Sequence, residues 1–254
     1  ERLIIYWCIL ARLRALCIEI HGYDPEMENF DQTPMHRNEL GSEGKGTLAV
    51  AGLDKVPLVE GHSDTRERWT ANLTTFSNKD RILQGELPYS EMCFKSEGQK
   101  MELRLKEYIR SRGWGPWLTV ATSPKGSYRE ADVITFLERH LPAMHEGRGW
   151  RIILADDFGP HKTKNVWRLC WSRGYVMVAL GGGTTPVVQT PDTDLNHHVP
   201  RHYTEREASV LVYQMRSGVC VPRPSEEECI DIMAELLSDT RLHLEAADGF
   251  KKTG

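Results

Sequence analysis

The chain has 254 residues, 40% hydrophobic and 27% charged, which excludes a disordered or fibrous polymer and leaves enough material for a sizeable buried core. A formal net charge of −4 and a sequence pI of about 6.2 argue against a chain that is basic throughout, as a general nucleic-acid coat would be, but leave room for a local basic face. No run approaches the roughly 18 apolar residues that a membrane-spanning helix needs, so no membrane association is expected.

The six cysteines, Cys8, Cys17, Cys93, Cys170, Cys220 and Cys229, form no CxxC pair, so zinc ribbons and thioredoxin-like sites have no support. Cys8, Cys17, Cys170 and Cys229 sit in apolar or helical patterns and read as reduced core thiols of a reducing compartment. The chain opens on Glu1 rather than Met, which suggests processing or a longer gene. Its first residues are expected to form an amphipathic helix to about residue 18, rather than a signal peptide, because Arg12 and Arg14 follow the apolar run without a small-residue cleavage motif.

A short strand over 26–31 is expected to turn at Gln32-Thr33-Pro34, since the residue before proline is pushed out of the helical region. Residues 38–46 read as loop. Residues 47–53 and 66–75 read as strands, with a turn at His62-Ser63-Asp64 between them. A helix is expected over 97–112, ending at Gly113, and a short strand over 117–122. A further helix starts at Ser127 or Tyr128 and stops at Pro142. Residues 150–155 are apolar on both faces, as a central strand should be. A helix over 163–173 stops at Gly174, and another buried strand covers 175–180. Residues 181–186 read as loop, a helix begins near Thr190 with a bend at Pro200, and Pro222 and Pro224 break the chain before a helix over 226–237. Residues 249–254 read as a frayed end. The order implies an α/β fold with a mixed sheet flanked by helices.

Three aspartates stand out. Asp31 and Asp156 close expected strands, and Asp192 lies in the first turn of a later helix. Carboxylates at strand carboxyl ends face the crevice where α/β sheets bind ligands. Three of them together repel unless a cation intervenes, and hard oxygen donors select Mg²⁺ or Mn²⁺. Read singly, each has an ordinary explanation: Thr190-Pro191-Asp192 makes a standard helix start, Asp156 or Asp157 suits a helix cap, and Asp31 suits a loop.

The wording around them resembles the DDE/D transposase superfamily of the mariner/pogo type. The segment Ile152-Ile153-Leu154-Ala155-Asp156-Asp157-Phe158-Gly159-Pro160-His161 is similar to that family's second catalytic block, an apolar strand ending in Asp with His five positions on. The segment from Ala179 through Gly181-Gly182-Gly183-Thr184-Thr185 to Gln189-Thr190-Pro191-Asp192 and Asn196 resembles the third block. Glu28-Asn29-Phe30-Asp31-Gln32-Thr33-Pro34 resembles the first. Thirty-five residues separate Asp156 from Asp192, within the family's range. The resemblance covers about residues 26–205. It departs from the family at Asp157, which replaces the usual Asn, at Thr190-Pro191, which replaces Pro-Leu, and at the glycines that replace Pro-Pro-Asn.

The resemblance implies a ribonuclease-H-like catalytic domain over 23–218, with a helix over 1–22 before it and a helical extension over 219–254 after it. It implies a DNA endonuclease and strand transferase with two Mg²⁺ or Mn²⁺ ions. Asp31 and Asp156 would share one ion, and Asp156 and Asp192 the other. His161, Gln189 and Asn196 would support the site, with Asp157 as the alternative to Asp156. The implied partner is double-stranded DNA, as element ends and target, with a homodimer as an option and a nuclear location following from the substrate. The competing expectations are a catalytically inactive transposase-derived binding module for DNA or protein, and a metal-dependent phosphoesterase of another kind.

Overall fold

The computed structural model describes residues 2–36, 68–141, 150–180, 195–219 and 222–253. The strand expected over 47–53, the turn at His62, the loops at 38–46 and 181–186, and the helix start at Thr190 lie outside the described residues. Strands β1 (Met27–His36), β2 (Arg68–Phe76), β3 (Ser90–Lys95), β4 (Leu118–Ser123), β5 (Arg151–Ala155) and β6 (Tyr175–Ala179) form one sheet in the order β4-β3-β2-β1-β5-β6. β2 is antiparallel to β1 and β3; β5 runs parallel to β1 and β6, and β4 parallel to β3. The helices are α1 (Arg2–His21), α2 (Lys79–Leu83), α3 (Gln99–Ser111), α4 (Glu130–His140), α5 (Lys164–Ser172), α6 (Asn196–Arg216), α7 (Glu226–Leu237) and α8 (Thr240–Thr253).

Period-two alternation sends each strand's side chains to two different cores. On one face Trp69, Leu73, Met92, Phe94 and Val120 pack with Leu105 and Ile109 of α3, Val199 and Tyr203 of α6, and α7. Beside them Ile152, Leu154 and Val178 pack with Tyr6 and Leu10 of α1 and Phe250 of α8. On the other face Phe30, Ile153, Ala155 and Tyr175 pack with α4 and α5. With both faces covered, β5 and β6 read as continuous apolar runs, which is why the sequence shows them clearly.

Helices α3 and α5 stop where expected, at Gly113 and Gly174, whose φ angles of 77° and 78° suit glycine. Three expectations change. β1 does not turn at Gln32 but continues through Pro34 to His36. A strand carries proline where one edge is open, and β1 pairs with β5 only over Met27 to Asn29. The segment 249–254 is not frayed at its start: α8 extends to Thr253, anchored by buried Phe250 and by Lys79 Nζ to Asp248 at 2.5 Å. Strand β3 lies in a stretch without a legible pattern. It buries Glu91 alongside Met92 and Phe94, so its polar residues do not mark a solvent face.

The third change is α1, which runs to His21 and is not amphipathic. It buries Tyr6, Leu10 and Cys17 but exposes Ile4, Ile5, Cys8, Ile9 and Ile18. Cys8 is therefore not a core thiol, whereas Cys17, Cys170 and Cys229 are buried and unbridged, as is Cys93. Cys220 lies outside the described residues. No helix among the described residues is long and apolar enough to cross a membrane.

Candidate active site

The centre of the sheet sets the geometry. Parallel β1 and β5 pair Met27 with Ile152, Glu28 with Ile153 and Asn29 with Leu154. Carried two residues further, the same register brings Asp31 level with Asp156, just where β5 ends. Asp31 is buried at 7% exposure; Asp156 is the first residue past its strand and half-buried. The two aspartates from the first two motifs are thus level in the extended backbone register of the parallel strands, 125 positions apart in sequence.

Asp156 is held from its own loop. Its Oδ1 accepts from the Phe158 N–H at 3.2 Å and from His161 Nδ1 at 2.6 Å. His161 is fully buried on a 3₁₀ turn over Gly159–Lys162, its ring edge-to-face with Phe30 at 4.9 Å and with Phe158 at 5.3 Å. Gln32 Nε2 lies 3.1 Å from His161 Nε2. Both contacts are satisfied by one tautomer: Nδ1–H donates to Asp156 while Nε2 accepts from the Gln32 amide. The motif spacing of five is thereby explained, since the turn folds His161 back onto the carboxylate.

Asp157 points elsewhere. Its Oδ1 pairs with Lys162 Nζ at 2.8 Å, and both side chains are exposed, an ion pair worth little. Of the two adjacent aspartates, Asp156 is the one turned to His161.

Asp31 is approached from the other end of the sequence. Asn196 Nδ2, on the first residue of α6, donates to Asp31 Oδ2. Leu195 and Val199 anchor this helix start in the main core, which fixes Asn196 over β1. Asp192 and Gln189 lie outside the described residues; Asp192 stands four positions before Asn196 in the sequence. Among the described residues no group of three or more His, Cys, Asp or Glu could hold a metal ion. Asp31 and Asp156 carry the hard oxygen donors that such an ion takes.

Sequence reading missed Gln32. It lies in a segment expected to turn, and only the continuation of β1 puts Asp31 and Gln32 on opposite faces of one strand, the first toward Asn196 and the second toward His161. Beyond the centre, the sheet buries two further carboxylates. Glu28 sits among His140, Arg81, Arg151 and Tyr175, and Glu91 accepts from the Tyr128 hydroxyl at 2.9 Å and from Arg139 at 3.1 Å. Burial pushes the Glu91 carboxyl up to about 6, against the lowering pull of Tyr128 and Arg139. Burial acts the same way on Glu28, but the His140 hydrogen bond and the charges of His140, Arg81 and Arg151 outweigh it and hold that carboxyl below its ordinary value.

No protein-family model matches the sequence, and no curated protein is significantly similar to it. Solved structures are similar in fold. The Mos1 strand transfer complex superposes with a TM-score of 0.51 at 11% identity, over 98% of this chain and 57% of that one. A Mos1 transposase paired-end complex with the left transposon end and a pre-cleavage Mos1 transpososome match at TM-scores of 0.41 and 0.39, with 9% and 8% identity, over 97% of this chain and 61% of each. The chain spans a little over half the length of the Mos1 chain in the strand transfer complex. A mixed six-stranded sheet with helices on both faces is a ribonuclease-H-like fold, similar in architecture to the protein of the Mos1 strand transfer complex.

Proposed function

We propose that this chain is the phosphodiester-cleaving core of a DDE/D-type transposase-like enzyme acting on double-stranded DNA, with Asp31, Asp156 and Asp192 holding two Mg²⁺ or Mn²⁺ ions. The observation that supports this reading is that residues of the first two motifs fall level at the centre of the sheet and that Asn196, four positions after Asp192, donates to Asp31.

The chain's own residues divide the work. Asp31 and Asp156 supply hard oxygen donors, and Asp192 is assigned to the same centre by its motif. His161 orients the Asp156 carboxylate, Gln32 fixes the His161 ring, and Asn196 restrains Asp31. Bound divalent ions would supply an activated water and stabilise the leaving oxygen in strand cleavage. The freed 3′-hydroxyl is then the nucleophile for transfer to target DNA.

The test is Mn²⁺ binding, read by electron paramagnetic resonance, beside nicking of supercoiled plasmid. Asp31→Asn, Asp156→Asn and Asp192→Asn should each lower nicking by about 100-fold or more and weaken Mn²⁺ binding, whereas Asp157→Asn should do neither. A folded wild-type chain that binds duplex DNA but neither takes up Mn²⁺ nor nicks would overturn the proposal in favour of a transposase-derived binding module.

A further inference from the structure

Helix α5 is the crossover from β5 to β6. Its inner face is spent on Val166 and Cys170, both fully buried. Its outer face carries Lys164, Trp167, Arg168 and Trp171, all exposed and at the i, i+3, i+4, i+7 spacing of one helical stripe. Trp167 is 44% exposed and Trp171 59%. Tryptophan is highly buried on average, so two exposed rings one turn apart call for a partner.

The charge on that face points to the partner. The sequence of α5 contains no acidic residue, although the chain as a whole is net negative. Among the described residues neither Lys164 nor Arg168 forms an ion pair. Glu130 of α4 is the carboxylate beside the first turn, where it accepts from Asn165 Nδ2 at 3.0 Å. Four residues of helix rise about 6 Å, so Lys164 stands over Arg168 as Trp167 stands over Trp171, a ladder of two cations beside a ladder of two rings. The stripe begins immediately after the turn that carries His161, and it leads away from the carboxylates. At its far end the Trp171 ring meets Trp150 at 5.4 Å, and Trp150 meets His21 at 5.3 Å.

We infer that the outer face of α5 is a track for single-stranded nucleic acid, with Lys164 and Arg168 on successive phosphates and Trp167 and Trp171 stacked on unpaired bases. The choice of nucleic acid rests on the phosphodiester reading of the neighbouring site; cleavage there exposes a strand end that such a track would hold. Stacking is indifferent to base identity, so the track binds without sequence preference.

The experiment measures binding of a fluorescently labelled 12-nucleotide oligothymidine to the full chain by anisotropy, in EDTA and over a salt series. Trp167→Ala/Trp171→Ala should weaken binding by about tenfold or more at unchanged salt dependence. Lys164→Ala/Arg168→Ala should lower the magnitude of the log–log salt slope by about 1.4, two phosphate contacts' worth on a single strand. Lys164 and Arg168 are exposed, so their variant should keep the wild-type urea midpoint; the tryptophan variant, which also gives up the Trp171–Trp150 ring contact, should shift it only slightly and stay folded under the assay conditions. Wild-type affinity in both variants, no binding by the wild-type chain, or loss of self-association instead of oligonucleotide binding in the tryptophan variant would each overturn the inference. Because no metal or cleavage enters the measurement, a chain that fails to nick but shows these losses refutes the catalytic reading alone. A chain that nicks but shows no losses refutes the track alone.

Discussion

Asn196, the first residue of α6, donates its side-chain amide to the carboxylate of Asp31 in the middle of β1, across 165 residues of sequence. This contact ties the third motif to the first. Removing it in Asn196→Ala leaves a buried carboxylate short of a donor, and a hydrogen bond to a charged group is worth about 1.5–3 kcal/mol. The expected result is a loss of that order in urea unfolding. Asn196→Asp should be worse without metal, because it sets two carboxylates together, and Mn²⁺ should restore part of the loss. Equal stability of both variants and wild type would show that Asp31 does not depend on this contact.

Gln32 and His161 form a second restraint, this one on Asp156. They come from β1 and from the turn after β5, and they meet at 3.1 Å. A double-mutant cycle of Gln32→Ala and His161→Ala should return a coupling energy of about 0.5–3 kcal/mol, the range for directly contacting residues. In nicking assays His161→Ala should lose more than Gln32→Ala, since only His161 touches the carboxylate. Strict additivity in both stability and rate would separate Gln32 from the site.

The two buried glutamates give stability opposite pH dependences. Glu91 has a folded value of about 6 against an ordinary 4.5, so the folded chain binds its proton more tightly than the unfolded chain does. The stability it confers is complete below about pH 4.5 and lost as pH rises through about 6, roughly 2 kcal/mol by pH 7. Glu91→Gln should flatten that decline. Glu28 is held below its ordinary value, so its contribution is present above that value and lost as pH falls through the lowered one. Glu28→Gln should flatten the acid limb instead. Urea midpoints from pH 3 to 8 in the two variants check both signs.

Phe136 of α4 is fully buried, with its ring 5.9 Å from Phe30 and 5.5 Å from His140. Phe136→Ala should cost about 3–5 kcal/mol and lower Tm by roughly 10 °C or more. Leu103 of α3, at 65% exposure, is the control, and Leu103→Ala should stay within about 0.5 kcal/mol. Similar losses for the two would contradict the placement of α4 over β1.

Strands β5 and β6 are legible in the amino-acid sequence because both faces are buried and almost every position is apolar. Helices α3 and α5 are legible because each has one apolar stripe and a glycine stop, and α7 because Pro222 and Pro224 mark where the chain breaks before it. Asp156 and His161 are linked in the sequence only through the motif they resemble, and the structure supplies the reason for its spacing, a single tight turn that joins them. Strand β3 is illegible for the opposite reason. Its buried Glu91 owes its place to Tyr128 and Arg139, residues of distant segments. The course of β1 beyond Asp31 is illegible too, since whether proline ends a strand depends on whether a neighbour requires its N–H.

The alternation of elements and the motif carboxylates are thus written locally, because hydrophobic period and turn chemistry act over a few residues. Three features are not: that β1 lies between β2 and β5, that its register brings Asp31 level with Asp156, and that Asp31 faces Asn196 while Gln32 faces His161. Those are choices of neighbour between segments far apart in the chain. They are made in three dimensions, by which apolar faces can be buried together, and no local pattern encodes them.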